Sequence, residues 1–101
     1  KLDVNLVAAD DVGRNALHYA AMNGNLPIMK MLFKTGQFQV NVQDDFGMTP
    51  LHLASRSNSE ECVRNLIEQG ADCMMRDETG RKAFDLSTSK SVRHILQTSF
   101  Q

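Results

Sequence analysis

With 101 residues the chain has room for one small domain. Its 11 Lys and Arg against 12 Asp and Glu leave a net charge of −1, without the basic excess that nucleic-acid binding calls for. No apolar run approaches the roughly 20 residues of a membrane span, no secretory leader or Asn-X-Ser/Thr acceptor is present, and Cys62 and Cys73 are too few for a disulfide scaffold. An intracellular protein, cytoplasmic or nuclear, is expected, and an opening at Lys1 suggests a piece of something longer.

In chain order, Gly13 suits a tight turn, because glycine adopts positive φ without a clash. Asn15 then caps a helix containing the small pair Ala20-Ala21, where helices approach closely. "LPIMKMLFKTG" reads as an amphipathic second helix closed by Gly36. Ile28, Met31 and Leu32 at i, i+3 and i+4 are expected to face inward, along with Met29. After "QVNVQD", Gly47 marks a second turn, Thr49 caps the next helix and Pro50 takes its first position. Ala54-Ser55 repeats the small pair.

Ser59 is placed to cap the following helix, with Glu60 and Glu61 at its positive end. Cys62, Val63, Leu66 and Ile67 form its apolar stripe, which makes Cys62 a small buried hydrophobe. "ADCMMRD" leads to a third turn at Gly80. There Lys82-Ala83-Phe84-Asp85 lacks the cap and the proline, so this helix should be the least secure. Leu17 to Leu32 and Leu51 to Leu66 each span 15 residues, but Phe84 to Leu96 spans 12. The last inter-helix loop is therefore expected to be mostly lost.

These elements recur. "DDVGRNALHYAA" from Asp10, "DDFGMTPLHLAS" from Asp44 and "DETGRKAFDLS" from Asp77 align, with Gly13, Gly47 and Gly80 34 and 33 residues apart. Asp45-Phe46-Gly47 also spells the metal-binding triplet of protein kinases. A kinase needs a far longer chain, with a glycine-rich loop and a catalytic-loop aspartate that are absent here.

The recurring segments resemble the ankyrin repeat, D-x-x-G-x-T-P-L-H-x-A-A followed by a second helix and G-A-D-V-N. Thr49, Pro50, Leu51 and His52 match its tetrad without a change, and Asn15-Ala16-Leu17-His18 departs from it. The resemblance covers almost the whole chain and implies an all-α solenoid of helix–turn–helix units with short β-hairpin loops. On that reading, residues 1–9 are the tail of a preceding repeat, 10–43 and 44–76 are full repeats, and 77–101 is a shortened C-terminal capping repeat. His18 and His52 would be structural, tying hairpin to helix.

The resemblance also implies a function: binding of another protein or peptide through a concave face of hairpin tips and first helices. No catalytic residues, cofactor or metal are implied. The corresponding positions are Asp11, Val12 and Arg14; Asp45, Phe46 and Met48; Glu78, Thr79 and Arg81; and Met22, Asn23, Arg56 and Ser57. Val12, Met22, Phe46 and Met48 would form an apolar middle bordered by Arg14, Arg56 and Arg81, the composition of an interface hot spot. The alternative is a spacer segment with no partner of its own. Asn5 and Asn41 become candidates for asparagine hydroxylation. The outer face of the first unit calls for cover, either more chain or a partner, and self-association through it is expected in isolation.

Overall fold

The computed structural model describes residues 8–98, which form six helices: α1 Ala16–Met22, α2 Leu26–Lys34, α3 Pro50–Arg56, α4 Glu60–Glu68, α5 Ala83–Leu86 and α6 Lys90–Thr98. Consecutive helices form three helix–loop–helix pairs. The first helices stack as α1 on α3 on α5, and the second helices as α2 on α4 on α6. The result is a two-layered rod of 43 × 26 × 21 Å. Among the described residues every regular element is helical. The loops read as β-hairpins keep the hairpin turn, yet only two backbone hydrogen bonds close each before the chain enters a helix.

Local chemistry explains where the helices begin. The Asn15 side chain accepts the N–H groups of Leu17 and His18, and the Asn15 N–H is donated back to His18 Nδ1. Thr49 and His52 make the same reciprocal pair at the start of α3, with Pro50 at its first position. At α5 the ammonium of Lys82 has no acceptor to offer. Asp85 replaces the histidine and accepts the Lys82 N–H at 2.9 Å. This helix has only four residues, against seven in α1 and α3.

The shortening of the last unit is therefore not in its loop, as expected from spacing. All three inter-helix loops keep three residues, at 23–25, 57–59 and 87–89. The loss falls on the first helix, where the cap is gone. The last loop is held from the preceding pair by Asn58, at φ 57°. Its Oδ1 accepts the Ser87 hydroxyl at 2.8 Å and the Thr88 and Ser89 N–H groups at 3.1 and 3.2 Å. Arg93 of α6 then covers the Phe84 ring of α5 at 5.2 Å.

The core runs the length of the rod through Leu17, Met29, Leu51, Leu53, Val63, Leu66, Val92 and Leu96. Two expectations about the second helices need correction. Met29 is buried as predicted, but Ile28 and Met31 stand 40% and 58% exposed. Their counterparts in the next pair, Cys62 and Asn65, are buried, because α4 has a preceding pair against it. Ser59 sits at the N-cap of α4 without making a capping bond; its hydroxyl partners the Cys62 thiol instead. Burial pushes that thiol's pKa up, which suits a hydrophobe and not a nucleophile.

Candidate protein-binding face

Each loop is built around one aspartate. Asp10, Asp44 and Asp77 stand three residues before their glycines, and each backbone N–H is donated to the carbonyl four residues on, at 2.8, 2.8 and 2.9 Å. One carboxylate oxygen of each accepts the N–H groups two and four residues later. This is the local side-chain bonding that makes aspartate a turn residue. The sequence reading assigned these aspartates no role, although their fixed distance from each glycine was legible.

Successive loops are tied edge to edge. Asp45 N–H donates to the Val12 carbonyl and Glu78 N–H to the Phe46 carbonyl, both at 2.9 Å. Gly47 makes the second contact feasible: at φ +79° a Cβ there would stand 2.7 Å from Glu78 N. The two histidines add a second tie. His18 Nε2 lies 3.1 Å from the Met48 carbonyl and His52 Nε2 2.9 Å from the Arg81 carbonyl. Since each Nδ1 accepts a backbone N–H, the ring proton sits on Nε2 and is donated to the next loop. Both rings are thereby occupied in joining one unit to the next.

Electrostatics stiffen the same loops. Arg14 Nε reaches Asp44 Oδ2 at 2.9 Å, with the aspartate side chain fully buried. Arg81 Nε pairs with Asp77 Oδ2 at 3.1 Å and with the Thr79 hydroxyl at 2.8 Å. Burial is the largest single influence on Asp77 and opposes its ionisation. The Arg81 N–H, the Thr79 hydroxyl and N–H and the Arg81 charge together outweigh it, bringing the pKa to about 2. Burial likewise pushes the His18 pKa below the ordinary imidazole value, against the Met48 carbonyl that favours the protonated ring.

The loop tips so fixed frame a cleft of about 250 Å³. Of the thirteen positions carried over as partner-binding, the cleft gathers Arg14, Phe46, Met48, Arg56, Glu78, Thr79 and Arg81, together with Asp77. Phe46 is 44% exposed. Arg56 is exposed, and its guanidinium makes no hydrogen bond or ion pair among the described residues. Met48 was expected on the surface but is 5% exposed; it belongs to the core and only floors the cleft.

Asp11, Val12, Met22, Asn23, Asp45 and Ser57 do not line the cleft. Val12 and Met22 are half-buried, and the Ser57 hydroxyl is spent on the Ala54 carbonyl at 3.0 Å. The apolar middle therefore reduces to one ring, Phe46, with cations beside it. Asn41 bridges units elsewhere, accepting Asp72 N–H at 2.8 Å. Asn5, its companion as a hydroxylation candidate, lies outside the described residues.

Stacked helix pairs, with loops locked by aspartates and histidines and their tips framing a cleft, define a helical repeat solenoid. The family model for ankyrin repeats, in three copies, matches residues 2–77, and the chain belongs to the ankyrin-repeat family. Both α5 and α6 lie beyond the matched stretch. The chain is 34% identical over 86 residues, 83% of its length, to the E3 ubiquitin-protein ligase KEG of Arabidopsis thaliana, of which it covers 5%. It is 44% identical over 64 residues, 63% of its length, to ankyrin repeat domain-containing protein 29 of Danio rerio, covering 22% of that protein. With protein phosphatase 1 regulatory subunit 12A of Mus musculus it shares 37% over 83 residues, 82% of the chain and 8% of the relative. The chain thus corresponds to a small part of each of these larger proteins. Among its described residues, no helix is long and apolar enough to cross a membrane.

Proposed function

We propose that this chain is a non-enzymatic protein-interaction module that binds a protein or extended peptide through the cleft at Phe46, Arg56 and Arg81. One observation carries the reading. An exposed aromatic ring stands beside a guanidinium that no group among the described residues satisfies, on loops held by backbone and aspartate hydrogen bonds. Aromatic and arginine anchors on a rigid frame are what interface hot spots are made of. The ring would receive an apolar side chain, while Arg56 and the outer nitrogens of Arg81 would receive a carboxylate or backbone carbonyls. A buried Cys62 thiol outside any disulfide fits a reducing compartment, the cytoplasm or nucleus.

Selection of a displayed peptide library on the intact chain supplies a ligand for the test. Phe46→Ala combined with Arg56→Glu should weaken the selected peptides at least about thirtyfold, as loss of about 2 kcal/mol does. The helical circular dichroism should not change, since both residues are exposed. Undiminished affinity in the double variant would remove the proposal, and failure of any sequence to enrich would favour the spacer reading.

A further inference from the structure

Asn65 is out of keeping with its place in α4. The second helices α2, α4 and α6 each have nine residues, and their sixth positions are Met31, Asn65 and Ile95. Asn65 and Ile95 are buried alike, each 9% exposed. An aliphatic side chain therefore suits this position, where Asn65 puts a carboxamide. Its Oδ1 is sealed from solvent without a hydrogen-bond partner, and its Nδ2 donates to no group among the described residues. A buried acceptor left unpaired weakens a fold, and an aliphatic residue would avoid that loss. Packing gives no reason for the amide, whereas a ligand does.

The surroundings define the ligand's chemistry. Asn65 lines a groove of about 310 Å³ between α2 and α4, together with Lys30, Phe33, Lys34 and Gln69. Lys30 and Lys34 stand one turn apart on α2 and are exposed. Neither ammonium makes a hydrogen bond or ion pair among the described residues. Asn65 and Gln69 stand one turn apart on α4 and bring neutral N–H donors. Among the described residues no carboxylate lines this groove, whereas Asp77 and Glu78 line the cleft at Phe46. Two ammonium groups with amide donors opposite match a phosphate monoester, which carries about two negative charges at neutral pH. A single carboxylate would leave one ammonium uncompensated.

We propose that the groove between α2 and α4 binds a phosphate monoester, with Lys30 and Lys34 on its oxygens and Asn65 Nδ2 donating to one of them. The half-buried Phe33 gives the ester's carbon skeleton an apolar surface. The recognised chemistry is the same in a soluble ester and in a lipid headgroup. No residue of this groove belongs to the cleft at Phe46, so the two readings stand or fall separately.

Amide NMR of the 101-residue chain, titrated with glycerol 1-phosphate at fixed ionic strength, tests the site. The Asn65 side-chain amide and the Lys30 and Lys34 backbone amides should shift to saturation, and chloride should not reproduce those shifts. Asn65→Leu should melt higher by roughly 5 °C, which shows the fold kept, and lose the saturable response. Lys30→Gln with Lys34→Gln, at exposed positions, should weaken binding at least about tenfold with the melting temperature nearly unchanged. In a second arm the chain is sedimented with phosphatidylcholine vesicles containing phosphatidic acid, which carries the same monoester. Tighter binding there than to the soluble ester, lost in the lysine variant, would support the proposal with a headgroup as its source. The reverse order would support it with a soluble source. Saturation in neither arm, shifts that chloride reproduces, or undiminished binding by either variant would overturn the proposal.

Discussion

At the scale of single residues, the loops divide their glycines into two kinds. Gly47 is needed twice, for its positive φ and because the next loop passes 2.7 Å from where a Cβ would stand. Gly80, at φ +87°, has nothing within 4 Å of that place. Gly80→Ala should therefore cost only backbone strain, about 1 kcal/mol, and Gly47→Ala about 2 kcal/mol or more. Urea unfolding of the two variants measures the difference; equal losses would mean that the loop-to-loop approach is not a tight constraint.

The titrating residues set a pH dependence. His18 is held below its ordinary pKa by burial, so the unfolded chain binds a proton that the folded one refuses. Stability should fall as pH drops below the unfolded value, about 6.5. Asp77, with a folded pKa of about 2, supports the fold above the unfolded carboxylate value and loses that support as pH falls towards 2. Denaturant midpoints taken from pH 7.5 to 2.5 should decline in two steps, and a midpoint that stays level between pH 7 and 5 would contradict the role given to His18.

At the scale of elements, what could be read and what could not follow from where the bonds lie. The tetrad at Thr49–His52 and its variant at Asn15–His18 were legible because capping is local: donor and acceptor lie within three residues. The inward register of α2 was not legible because periodicity marks a helix's apolar positions and not the neighbour that covers them, and Ile28 and Met31 stand exposed. Spacing showed that the last unit is shorter by three residues, but not that α5 would yield them. The deciding residue, Asn58, lies about 30 positions away and shows no local sign of its task. Asn58→Gly keeps the positive φ and removes only the bridging side chain. It should cost about 1–2 kcal/mol and speed amide exchange most in α5 and α6. Faster exchange spread evenly over all six helices would argue against such a local bridge.

At the scale of the whole molecule, the rod has three kinds of surface. The row of loop tips was legible from the family pattern, yet burial decides which tips are open to solvent. Met48 belongs to the core, Arg14 is spent on Asp44, and Phe46 and Arg56 remain open. The end formed by α1 and α2 exposes Tyr19, Ile28 and Met31. In the last pair Val92, Ile95 and Leu96 point inward and the rest of α6 is polar and exposed. The protein recognition proposed for this chain is therefore confined to one cleft.

The most direct test of that assignment is a two-dimensional amide NMR titration of the 101-residue chain with a library-selected peptide. The account predicts shifts concentrated on Phe46, Arg56, Glu78 and Arg81, with α2, α4 and α6 nearly silent. Shifts centred on the outer helices, with the loop tips unmoved, would contradict it.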